Sequence, residues 1–200
     1  MKKQRGVFCF FILYFLFWMG ENALSSYLGI FYEAKGLGGV QIAVINSVFS
    51  IAVVAAALFA GAIGDQISST RSLLLALSIA MILGTALLYI SASYTMILLS
   101  VIIYGVGYSP FNGVADQMLM NRLENHPERF GQIRMGGTIG AGVGVVLAGL
   151  LMQHGSRFSA LFMIYWIAAA LCFLAVLRLP KQAGMKERAT WRDYLLVVQH

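Results

Sequence analysis

Residues 116–134 read DQMLMNRLENHPERFGQIR, a polar interval between two long apolar runs. Its centre, Asn125-His126-Pro127, carries turn-forming residues, so the flanking runs predict two antiparallel helices joined here. Asp116 closes the first run and Arg134 opens the second, each equally far from Asn125. In an antiparallel pair that symmetry sets the carboxylate and the guanidinium at similar depth, about 14 Å from the turn at ~1.5 Å per residue. Each charge costs roughly 2.5–3.5 kcal/mol near mid-membrane. Either the two neutralise one another inside the protein, as a functional site, or both retreat to the headgroups and anchor helix ends.

The rest of the chain has the composition of a membrane. Of its 200 residues 60% are hydrophobic and 11% charged, and the mean hydropathy is +0.79. That is an all-α membrane protein of several spans, not a soluble domain. The net charge of +6 does not point to nucleic acid, because the basic residues flank apolar runs and form no stripe with interleaved aromatics. Cys9 and Cys172 lie within apolar runs at opposite ends and imply neither a disulfide nor a metal. No His/Cys cluster, phosphate loop or serine triad spacing is present, so neither a cofactor nor a catalytic group is expected.

Six spans are expected: about 7–31, 40–63, 72–91, 94–123, 133–152 and 158–177. The first opens like a signal peptide, with Ala23-Leu24-Ser25 as a small-x-small site, but its apolar character continues through Tyr32, which favours a retained helix. Short connections make consecutive helices antiparallel. With six alternating spans, Lys35 and Arg157 are the only basic residues on one side, and the other twelve Lys and Arg fall opposite. The positive-inside rule then places both ends of the chain in the cytoplasm, with residues 1–178 as the transmembrane unit. Residues 179–200 form a polar cytoplasmic segment. In it Thr190 and Asp193 predict a helix cap, and Trp191, Tyr194, Leu195 and Val198 share an apolar face. The chain stops at His200 without a domain-ending pattern, as a truncated sequence would.

Polar residues inside the spans are the candidate site. Glu21 and Asn22 lie in the first span with Ser25 and Ser26 one turn on, so Glu21 is either a proton or solute group or a residue near the outer interface reaching for water. Tyr108, Asn112 and Asp116 recur every four residues along the fourth span, beside a kink expected at Pro110, and would line a cavity if that face points inward. Asn46 and Ser50 read as an interhelical hydrogen-bonding pair. Gly136, Gly140 and Gly144 are successive GxxxG steps, which suit close helix packing more than ligand binding.

Two motifs add a resemblance. Gly61-Ala62-Ile63-Gly64-Asp65-Gln66-Ile67-Ser68-Ser69-Thr70-Arg71 resembles the GxxxD(R/K)xG(R/K)(R/K) loop of the major facilitator superfamily, with Gly61, Asp65 and Arg71 retained and Gln66 and Ser68 departing. The resemblance implies a cytoplasmic gating role for this loop. Phe130-Gly131-Gln132-Ile133-Arg134-Met135-Gly136-Gly137 looks like the F-G-R-x-R-M-x-G start of helix 5 in lactose permease and related proton symporters. There the acidic partner of the second arginine lies on helix 4, at the position Asp116 holds here. The resemblance implies the amino-terminal half of such a transporter, built as two inverted three-helix repeats, with a small-solute site and proton symport. Its partner would be a carboxy-terminal half or a second copy. Gln132, and Ala141 where lactose permease has a sugar-stacking tryptophan, argue against a galactoside; another polyol, a nucleoside or an aromatic acid stays open. The rivals are a non-transporting membrane fragment or scaffold and, more remotely, an intramembrane aspartyl protease using Asp65 and Asp116. The latter needs Gly-x-Gly-Asp where residues 62–65 read Ala-Ile-Gly-Asp.

Overall fold

Lipid offers the backbone no hydrogen-bonding partner, so each apolar run must satisfy its own N–H and C=O groups as a helix. The computed structural model describes residues 2–64, 70–123, 126–153 and 158–179. These form α1 (Lys2–Ser25), α2 (Leu28–Ala34), α3 (Gly39–Gly64), α4 (Thr70–Ile90), α5 (Tyr94–Leu123), α6 (Arg129–Gln153) and α7 (Ser159–Arg178). Among the described residues six stretches are long and apolar enough to cross a membrane, α1 and α2 together supplying the first. The expected tail helix near 190–198, the Asp65 to Ser69 loop and Asn125 lie outside the described residues.

The first span differs from the uninterrupted helix expected. Its ladder breaks at Ser26-Tyr27, where the Tyr27 N–H turns to the Leu24 carbonyl, three residues back, before α2 restarts. After α2, Gly36 adopts φ +82° and the Leu37 N–H closes back onto the Tyr32 carbonyl, a left-handed cap that L side chains resist. The following turn is tied to the α4–α5 connection. Lys35 Nζ donates to the Ser91 carbonyl at 2.5 Å while lying 5.0 Å from the Phe31 ring centre. Ser93 Oγ then accepts the Met96 N–H, capping the start of α5.

Packing follows a twofold pattern. α1 seats against α6 and α7, and α5 seats against α3 and α4, while α4 and α7 meet each other. Taken as two three-helix repeats, the first helix of each repeat therefore docks on the second and third helices of the other, and the two third helices meet each other. In lipid no hydrophobic force draws helices together, so close backbone approach must supply the contact energy. Small residues provide it. Gly136, Gly140 and Gly144 meet Phe11, Phe15 and Met19 of α1 in turn, a constant register that makes α1 and α6 parallel. At each of the three a Cβ would collide with a backbone carbonyl oxygen. Gly84 lies against the Tyr104 backbone and Gly107 against Leu77 and Met81, an order that makes α4 and α5 antiparallel. Outside these seams, Ile51, Val54 and Leu58 of α3 and Ile79 and Leu83 of α4 are exposed, as a lipid-facing surface requires.

Candidate functional site

Asp116 is held from two neighbouring helices. Arg134 of α6 donates to Oδ2 at 2.8 Å, and the Tyr14 hydroxyl of α1 donates to Oδ1 at 2.6 Å. The pair thus joins α5 to both helices of the glycine seam. Tyr14 itself is fully buried, whereas the Arg134 side chain is 46% exposed and that of Asp116 24%. The guanidinium keeps room to move while the carboxylate is braced from behind by a fixed phenol. The ring stack of Phe17 on Phe111, at 4.8 Å and 5°, keeps α1 and α5 in register beside it.

About two turns further along α1, some 10 Å by helical rise, lies a second acid. Glu21 is 4% exposed. Its Oε2 accepts the Tyr104 hydroxyl of α5 at 2.5 Å, and its Oε1 is buried without a partner. The Glu21 carboxyl is enclosed by protein rather than reaching for water.

Two cavities accompany these groups. One, of about 280 Å³, is lined by Trp18 and Asn22 of α1 and by Arg134, Gly137, Thr138 and Ala141 of α6. The other, of about 300 Å³, is lined by residues that include Glu21, Asn22, Asn46, Phe49, Tyr104 and Tyr108. Trp18 and Asn22 wall both, so they form the partition between a basic and an acidic compartment. The indole fits there because position 137 is glycine; a Cβ would strike the Trp18 ring. The Asn22 amide donates to the Trp18 carbonyl at 2.9 Å, which steadies the partition.

The stripe expected on the fourth span divides among different tasks. Tyr108 faces the Glu21 cavity, Asp116 takes the ion pair, and Asn112 donates to the Tyr108 carbonyl of its own helix at 3.4 Å. Asn46, expected only to bond between helices, lines the acidic cavity, and Ser50 bonds back to the Asn46 carbonyl. Of the loop motif, Gly61 lies within α3 and Arg71 in the first turn of α4, while Asp65 falls outside the described residues. Sequence reasoning missed Tyr14, Trp18 and Tyr104. Extending the four-residue stripe back one step from Tyr108 reaches Tyr104, and Tyr14 lies a heptad before Glu21; nothing in the sequence singles out Trp18.

The profile of the Major Facilitator Superfamily matches residues 10–198. The chain belongs to the major facilitator superfamily. Maltose permease of Geobacillus stearothermophilus is 24% identical over 171 residues, covering 85% of this chain and 43% of that permease. Among solved structures, nucleoside transporter NupG superposes with a TM-score of 0.79 at 21% identity, over 96% of this chain and 49% of that one. A point-mutant form of NupG gives 0.81 at 20% identity, over 97% and 51%. This superfamily chain therefore spans about half the length of the relatives it matches. Its six spans correspond to half of the transporter fold, with two inverted three-helix repeats.

Proposed function

We propose that this superfamily chain forms the amino-terminal half of a secondary transporter that carries a neutral, hydroxyl-rich ring solute, a sugar or nucleoside, in symport with protons. The observation that carries the reading is the Arg134 cavity, where a guanidinium bound to Asp116 borders about 280 Å³ of space shared with an indole and an amide. A guanidinium fork suits paired hydroxyls, an indole face suits the apolar side of a ring, and Gly137, Thr138 and Ala141 leave room opposite. The names of the maltose permease and of NupG support that solute class, and the Lys and Arg distribution supports a cell-membrane protein with both ends in the cytoplasm.

The coupling rests on charge balance. When solute hydroxyls draw Arg134 away, Asp116 loses its counter-charge, and accepting a proton restores neutrality at the site. Tyr14 keeps the carboxylate in place during the exchange. Gly61, Asp65 and Arg71 serve the cytoplasmic gate. The second wall of the site comes from a carboxy-terminal half, in the same polypeptide or another copy.

Ligand binding to the purified chain assembled with its carboxy-terminal half tests the solute class. With maltose and uridine as probes, we expect saturable quenching of Trp18 fluorescence by at least one of them, absent from Trp18→Phe and at least tenfold weaker in Arg134→Gln. Failure of both probes, or equal affinity in Arg134→Gln, refutes the proposal.

A further inference from the structure

The compartment beyond the Trp18–Asn22 partition has the opposite electrostatic character. Among the described residues its walls hold one carboxyl group, five aromatic rings (Trp18, Tyr32, Phe49, Tyr104 and Tyr108) and no Lys, Arg or His. Aromatic faces carry negative potential, so ring and carboxyl act in the same direction on whatever enters. The other polar groups there are hydroxyls and amides, which supply acceptors as well as donors. Asn22 spends an amide N–H on the Trp18 carbonyl, leaving its side-chain oxygen, and Asn46 adds another amide oxygen. Glu21 itself has one oxygen engaged by Tyr104 and the other, Oε1, buried and unpartnered. A carboxylate oxygen left so in a native protein calls for a partner, and none of the residues around this cavity supplies a cation.

We propose that the Glu21 cavity is a binding site for a positively charged amino group, held by the Glu21 carboxylate and enclosed by the surrounding aromatic rings. An ammonium brings donors for the Glu21 carboxyl group and for the two asparagine oxygens, and its charge balances the carboxylate once the acid's proton has left. A neutral hydroxyl can also donate there but brings no charge, so the enclosed acid keeps its proton, whereas an ammonium takes that proton's place. The cavity, about 300 Å³, lies at the lower edge of the usual small-molecule range of roughly 300–1,000 Å³, which suits a compact amine. The site is separate from the Arg134 compartment and requires no transport to be observed.

Benzylammonium and benzyl alcohol differ in charge at nearly constant shape and make the test direct. Isothermal titration is performed on the chain in phosphatidylcholine nanodiscs, whose net-neutral lipid limits adsorption of the cation. We expect saturable benzylammonium binding at least tenfold tighter than benzyl alcohol, about 1.4 kcal/mol. Glu21→Gln should abolish that preference. Phe49→Leu leaves the carboxyl intact and removes one ring, so it should weaken benzylammonium several-fold and serves if Glu21→Gln fails to fold. Equal affinity for the two probes in the native chain overturns the proposal. So does undiminished benzylammonium binding in either folded variant. Because maltose and uridine read the Arg134 compartment, the two proposals fail separately.

Discussion

Replacing Gly140 by alanine adds one methyl group where α6 meets the Phe15 carbonyl of α1, and backbone cannot swing aside as a side chain would. Even at Gly136, a less crowded step of the same seam, an added Cβ would lie 2.8 Å from the Phe11 oxygen, against 3.4 Å or more for ordinary contact. The helices must therefore part by over half an ångström. A radial gap of ~0.5–1 Å forfeits roughly a quarter to a half of each dispersion contact, and overpacking of this kind costs about 1–3 kcal/mol. Gly142 gives the internal control, because a Cβ there meets nothing within 4 Å. Alanine at that position keeps its helix-propensity advantage, up to about 1 kcal/mol, without the clash. Gly140→Ala should thus unfold at least ~1 kcal/mol more readily than Gly142→Ala, followed by circular dichroism during denaturation in micelles. Equal stability of the two variants would mean that α1 and α6 do not touch through this face, and the arrangement that presents Arg134 to Asp116 would lose its support.

Removing the Tyr14 hydroxyl as Tyr14→Phe deletes a hydrogen bond to a charged acceptor, worth about 1.5–3 kcal/mol. Stability should fall in that range, and solute affinity should change less than in Arg134→Gln; a stability loss under ~0.5 kcal/mol would show that the phenol does not brace Asp116. Lys35→Met cuts the tie from the α2–α3 turn to the Ser91 carbonyl, so amide exchange should quicken around Ser91–Ser93 and stay unchanged at the 126–128 turn. Exchange that does not respond would remove the tie from the account. For orientation, Ser93→Cys should react with a membrane-impermeant maleimide in intact cells and Glu128→Cys only after lysis, in a background lacking Cys9 and Cys172. The reverse pattern would invert the topology.

The spans were legible because lipid imposes one rule on every backbone, and a run of about twenty apolar residues can answer it in one way. The depth match of Asp116 and Arg134 was legible for a similar reason, since a single turn sets both distances. What escaped was mostly rotation. A span apolar on its lipid face and its protein face has little amphipathic contrast, so nothing in α1 announces that Tyr14 and Trp18 point inward while Phe8 and Ile12 are exposed. The Tyr14–Asp116 and Tyr104–Glu21 contacts join residues 102 and 83 positions apart and leave no local pattern. The break at Ser26-Tyr27 lacks proline, the residue on which a kink was expected at Pro110, so no residue type marks it in the sequence.

Proton exchange on solute binding tests the central claim most directly. Purified protein in weakly buffered solution with a pH-sensitive dye is mixed with whichever of maltose or uridine it binds. The account predicts net proton uptake as Arg134 leaves Asp116, and its loss in an Asp116→Asn variant that still binds the solute. Solute binding without any change in bound protons, or unchanged uptake in Asp116→Asn, would contradict it.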